Sequence, residues 1–257
     1  MNPWIRSLAY RWLPARARLA LLKAYYLHQV PRIALRDPES AMLAEFVAAG
    51  DCVLDVGANV GWYSVLLSRL VGPAGAVHAF EPVPVTAEIL AHVVKGLHLT
   101  NVHVHRSALA DCEAVRVMEI PRDPGGADDL YLAHLLPGPD PSRPGVRVAV
   151  TTLDSLRAAG LARVAFIKCD VEGAELLVLR GAARLLAADH PGILCEVCEH
   201  SERLGMRAQD VFSFLAGLDY RPYRVVDGRL VDCAAPMPDV QNYFFLPSAR
   251  AAPRNSE

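Results

Sequence analysis

Asp51-Cys52-Val53-Leu54-Asp55-Val56-Gly57-Ala58-Asn59-Val60-Gly61-Trp62-Tyr63-Ser64 changes conformation twice within one short stretch. Cys52 to Val56 is apolar and partly β-branched, the pattern of a strand buried on both faces. From Trp62 onward the period switches: Trp62, Leu66 and Leu70, with Tyr63, Leu67 and Val71 beside them, recur at helical spacing. Between strand and helix lies a glycine turn that allows positive φ and close approach of a bulky ligand. The first amides of the helix, unpaired, point at it. Asp55 falls at the carboxyl end of the strand, where open α/β sheets bind their ligands.

A second strand, Ala76-Val77-His78-Ala79-Phe80, runs into Glu81-Pro82. Glu81 stands twenty residues beyond Gly61, close to where a nucleoside-binding α/β unit places the carboxylate that takes two ribose hydroxyls. Strand, glycine turn, helix, strand and acid arrive in the order a nucleoside cradle needs.

The 257 residues suit one large α/β domain. A net charge of −2 gives no electrostatic reason to expect nucleic acid as a partner. Six cysteines sit mostly in strand-like runs, as reduced buried thiols would, which places the chain in the cytoplasm. Cys195 and Cys198 form a C-x-x-C with no second pair and read as core cysteines.

Residues 1–44 are expected to form a basic amphipathic helical arm, with Arg6, Arg11, Arg16, Arg18, Lys23, Arg32 and Arg36 and no acid before Asp37. It lacks the apolar core of a signal peptide, and no run reaches the length of a membrane span. Packing on its own domain or on a second subunit of a homo-oligomer is the expectation; contact with an anionic membrane surface is the alternative. The main domain is expected over 45–248, followed by a flexible tail, 249–257.

Further along, Val102-His103-Val104-His105 is a strand whose two rings share a face, with no third metal ligand nearby in sequence. Ala108–Asp111 and Val115–Ile120 suggest a hairpin. Residues 121–145, crowded with Pro and Gly, form an inserted loop suited to act as a lid. Val164–Asp170 is a buried strand ending in an acid, and Ile193–Val197 is followed at once by Glu199 and His200. Tyr220–Val226, the turn Asp227-Gly228 and Gln241–Leu246 close the chain as an antiparallel hairpin. The sum is a doubly wound, mostly parallel Rossmann-like sheet with an antiparallel C-terminal edge.

With these residues located, roughly Glu45 to Pro247 resembles the FkbM family of S-adenosylmethionine-dependent methyltransferases. The motifs are Asp55-Val56-Gly57-Ala58-Asn59-Val60-Gly61, Ala79-Phe80-Glu81-Pro82, Thr152-Leu153-Asp154, Ile167-Lys168-Cys169-Asp170-Val171-Glu172-Gly173-Ala174-Glu175 and Asn242-Tyr243-Phe244-Phe245-Leu246-Pro247. The resemblance implies a class I methyltransferase fold, S-adenosylmethionine as donor, and a hydroxyl acceptor on a sugar, polyketide or related small molecule or glycan. The expected donor set is Asp55, Gly57, Asn59, Gly61, Glu81 and Ser107.

An alcohol needs a base or a metal to attack at neutral pH, and the acids at the strand ends are the candidates. Asp170 and His200 are expected to activate the acceptor hydroxyl, with Glu172 and Glu196 shaping the site. No metal ligand set is assigned, although a divalent ion at Asp170 is left open. Two rival readings stand beside this one: an NAD-dependent oxidoreductase, which shares the glycine turn and the ribose acid, and a noncatalytic S-adenosylmethionine-binding module. Against the first, Asn59 occupies a position where Gly-x-Gly-x-x-Gly needs Gly.

Overall fold

The computed structural model describes residues 13–32, 38–122, 126, 128–138, 144–197 and 199–249, apart from the side chains of Glu199 and His200. The first part of the basic arm, Cys198, several residues of the 121–145 segment and the tail from 250 lie outside the described residues.

In chain order the helices and strands are α1 (Ala15–Gln29), α2 (Pro38–Met42), β1 (Cys52–Val56), α3 (Trp62–Val71), β2 (Ala76–Phe80), α4 (Pro84–Gly96), β3 (Val102–His105), β4 (Ala108–Leu109), β5 (Ala114–Glu119), β6 (His134–Leu135) and β7 (Val146–Thr151). They continue with α5 (Leu153–Ala158), β8 (Val164–Cys169), α6 (Glu175–Arg180), α7 (Ala183–Asp189), β9 (Gly192–Glu196), α8 (Ala208–Ala216), β10 (Tyr220–Val226), β11 (Arg229–Asp232) and β12 (Asn242–Pro247).

The main sheet has eight strands in the order β11-β10-β12-β9-β8-β1-β2-β3. β3, β2, β1, β8 and β9 are parallel, and β12 enters antiparallel between β9 and β10. Strand alternation splits neighbouring residues between two cores. Val53, Phe166 and Phe244 pack on one side with Met42, Phe46, Leu67 and Leu90. Leu54, Ile167 and Phe245 pack on the other with Leu176, Leu185, Phe212 and Leu215. The chain order reverses where β8 lies beside β1, which opens a crevice at the carboxyl ends of β1, β2 and β8.

Two expected hairpins are corrected. Ala108–Leu109 does not pair with β5: a second, four-stranded sheet runs β4-β7-β5-β6, so β7 lies between them. β7 is long enough to pair along both edges, and its alternating Val146, Val148 and Val150 pack with Met118 and Leu135 of the same small core. After the turn at Asp227-Gly228, whose φ values of 50° and 72° are both positive, the partner strand is β11 rather than Gln241–Leu246. That is the geometry of a two-residue hairpin, which forces immediate pairing of Val226 with Arg229. β12 then pairs with the other edge of β10.

The 121–145 segment contributes to this second sheet. Arg122 bridges to Asp128, Leu130–Leu132 forms a 3-10 turn, and β6 pairs with β5. The described part of the basic arm packs on the domain: α1 lies along α4, Lys23 Nζ meets Glu88 Oε1 at 2.6 Å, and Leu27 fills the space over Gly96. Among the described residues no helix is long and apolar enough to cross a membrane.

Candidate active site

The crevice encloses about 210 Å³ and is lined from β1 and its turn, from the β2 end, from the β8 end and from the small sheet. The β1 turn and the end of β8 approach closely at its floor. Asp170 N–H donates to Val56 O at 3.0 Å, and Gly57 has φ 80°. A Cβ on Gly57 would stand 1.7 Å from the Asp170 carbonyl oxygen, so only glycine lets the two loops meet. Gly57 and Ala58 both donate to Phe80 O, at 3.1 and 2.9 Å, which ties the same turn to β2.

Asp55 is 1% exposed and accepts a 2.5 Å hydrogen bond from Ser64 Oγ. Burial pushes its pKa up to about 6 against the pull of that hydroxyl. Asn59, at φ 49°, donates its N–H to Glu81 Oε2 at 3.0 Å, and Val83 N–H donates to Oε1 at 2.8 Å. Burial still raises Glu81 to about 7. Each carboxylate oxygen keeps a lone pair after one amide bond, enough for two hydroxyl donors. Asn59 Oδ1 is buried without a hydrogen-bond partner, an acceptor awaiting a donor. Gly61, at φ 102°, precedes α3 and offers no side-chain cap; in the first turn the Ser64 backbone N–H donates to Asp55, as its hydroxyl does. Ser107 lines the same crevice.

The second half of the site is acidic. Asp170, Glu172 and Glu196 offer oxygens that all lie within 4.8 Å of one another. Glu172 holds φ 57° on the loop after β8, and Glu175 pins that loop by accepting Val171 and Gly173 N–H, each at 3.0 Å. Burial opposes ionisation of Asp170, but Lys168 and a hydrogen bond from Glu196 outweigh it and hold Asp170 below the ordinary carboxylate range. Glu196 is driven the other way, by burial and by the Asp170 charge, and keeps its proton. Burial and Asp170 raise Glu172 to about 7.

The crevice is thus lined by five of the six expected donor residues, Gly61 standing outside the lining at the start of α3, and three of the four expected catalytic ones lie together; the fourth, His200, is on the 3-10 turn Glu199–Leu204, its side chain outside the described residues. The sequence reading missed Lys168, which lines the crevice with its Nζ 2.9 Å from Asp170 Oδ2. It also missed the company of the β3 histidines. His78, in register with His103, stacks on both rings, and its Nδ1 is 3.0 Å from His105 Nε2. Burial and the neighbouring rings lower His78 to about 4.

A family model described as the methyltransferase FkbM domain matches residues 55–222, from the first acid of the cradle to β10. The chain belongs to the FkbM methyltransferase family. Among its relatives is the 31-O-demethyl-FK506 methyltransferase FkbM of Streptomyces tacrolimicus, 32% identical over 178 residues, which are 58% of this chain and 65% of the relative. Methyltransferase 1 of Beauveria bassiana is 28% identical over 144 residues, 50% of this chain and 57% of the relative. The matched stretches therefore span less than two-thirds of either relative's own length. In fold, the FkbM-family chain resembles a solved structure, cofactor-bound Rv0187 from MTB, with a TM-score of 0.50, 16% identity and 94% of each chain covered.

S-adenosylmethionine is the donor of this family, and the crevice fits it. Glu81 suits the ribose diol, the buried Asn59 oxygen suits the ammonium of an amino-acid end, and Phe80, Val83 and Leu109 offer apolar surface to a base. Asp55 lines the same crevice.

Proposed function

We propose that this FkbM methyltransferase moves the methyl group of S-adenosylmethionine to a hydroxyl oxygen of a small-molecule or glycan acceptor, with Asp170 receiving the hydroxyl proton. When bound, S-adenosylmethionine supplies an electrophilic methyl on a sulfonium. The observation that carries the reading is a half-buried carboxylate, Asp170, held ionised by the Lys168 ammonium 2.9 Å away in the same crevice as Glu81.

A carboxylate kept below its ordinary range is a weak base, yet it is in the base form throughout neutral pH. The acceptor proton needs to leave only as the new C–O bond forms and the oxygen becomes acidic, so a weak, well-placed base suffices. Glu196, protonated, hydrogen-bonds Asp170 and fixes its orientation. Glu172 shares the crevice and titrates at about 7, which suits it to pass the proton to solvent.

Leu130, Tyr131, Ala133 and Leu135 of the inserted segment line the crevice, which supports its role as the acceptor lid. Oxygen as the acceptor atom also accords with the Streptomyces relative, whose name specifies O-demethyl FK506 as its substrate. The test is to incubate the protein with methyl-labelled S-adenosylmethionine and a panel of hydroxylated sugars and polyketides. A labelled methyl ether is the expected product. Methyl transfer to nitrogen, or binding of NAD in place of S-adenosylmethionine in a calorimetric titration, would overturn the reading.

A further inference from the structure

Lys168 is 2% exposed in the interior of the main sheet. An ammonium stays charged at that depth only where other groups replace its water. Its Nζ lies 2.9 Å from Asp170 Oδ2 and 4.9 Å from the centre of the Tyr63 ring, a carboxylate and an aromatic face in place of solvent. Strand alternation puts Lys168 and Asp170 on one face of β8, and register sets Lys168 beside Asp55 of β1. Glu196 of β9 acts on the ammonium from the other side. Burial favours the neutral amine, but these acids prevail and lift its pKa to about 12.

Asp170, Glu172 and Glu196, with oxygens within 4.8 Å, are also the kind of set that takes a hard divalent cation. Here one oxygen of the central carboxylate is already held by a cation that belongs to the chain. We propose that Lys168 is the built-in cation of this carboxyl cluster, a positioning residue whose ammonium fixes Asp170 toward the acceptor hydroxyl, so that methyl transfer runs without a divalent ion. The Asp170 step rests on the O-methylation reading above; the claim about the cation does not.

The experiment separates the two. Wild-type protein saturated with S-adenosylhomocysteine is titrated with Mn²⁺ by calorimetry, a measurement that needs no acceptor. No saturable binding up to millimolar metal is expected, and chelator should leave turnover unchanged on whichever acceptor is methylated. Lys168→Met removes the charge at similar length. It should lose roughly 10²-fold or more in kcat with donor affinity kept, the scale of a displaced general base, and should acquire a Mn²⁺ site that the added change Glu172→Gln removes. A purely structural lysine would not exchange its role for a metal in this way. Stoichiometric Mn²⁺ binding by the wild type, abolished by Glu172→Gln, overturns the proposal, as does a folded Lys168→Met protein with normal kcat. If Lys168→Met fails to fold, the wild-type titration and the chelator experiment still decide.

Discussion

Replacing Glu81 by Gln separates donor recognition from folding. In the donor-free protein the Glu81 carboxyl is buried and titrates at about 7 instead of 4.5. A raised carboxyl pKa means that the folded chain holds the proton more tightly than the unfolded one. The stability this lends is complete below the unfolded value and is lost as pH rises through about 7, at ~1.4 kcal/mol per pKa unit or about 3 kcal/mol in all. Gln avoids that loss at pH 8. It also leaves one of the Asn59 and Val83 amides without an acceptor, which costs ~1–3 kcal/mol. The two effects nearly cancel, and Tm at pH 8 should move by only about 2–4 °C.

Donor affinity behaves differently. A charged acceptor for the ribose hydroxyls is worth ~1.5–3 kcal/mol, so Glu81→Gln should bind S-adenosylhomocysteine roughly 10- to 150-fold more weakly at pH 8. Because the diol favours the ionised carboxyl, wild-type affinity should climb as pH rises toward about 7 and level off above it. In Glu81→Gln that climb should disappear, leaving whatever step Asp55 contributes near 6. Calorimetric titration across pH, paired with thermal unfolding, reads all of this. Unchanged affinity in a folded Glu81→Gln protein would refute the ribose assignment, and a large fall in Tm at pH 8 would refute the stability reasoning.

Gly57→Ala should destabilise by more than ~4 kcal/mol, since its Cβ meets the Asp170 carbonyl, whereas Gly50→Ala, at φ 90° with open space around it, should cost only the ~1–2 kcal/mol of a left-handed residue; denaturant unfolding of the pair checks the contrast. Tyr131→Ala should leave donor affinity intact while raising the acceptor KM, because Tyr131 lines the crevice from the inserted segment. Loss of donor binding with acceptor kinetics intact would assign that segment to the donor instead.

The cradle was legible in the sequence because its signals are local. The switch from strand to helical period across Gly57 and Gly61, and the acids that end β2 and β8, are each set by a few consecutive residues. Pairing of distant strands is not. β4 takes β7 as its partner rather than β5, and no short-range pattern near Asp111 announces it. β11 was hidden because it is a mostly exposed edge strand, with little apolar alternation to betray it. His78 joins the β3 histidines only through the β2–β3 register. Lys168 did leave a signal: a lysine inside a strand apolar on both faces must find a partner, and the nearest acid on its own face lies two residues on, at Asp170.

The central claim is that the end of β8 carries the chemistry, and turnover by Asp170→Asn tests it most directly. Asn preserves the side-chain shape but cannot take the acceptor proton, and the glycine turn that meets the Asp170 backbone is untouched. The folded protein should be less stable, because the Lys168 ammonium loses its carboxylate, but with S-adenosylhomocysteine affinity kept kcat should fall by ~10²–10⁴-fold. Wild-type kcat in a folded, donor-binding Asp170→Asn protein would contradict the account.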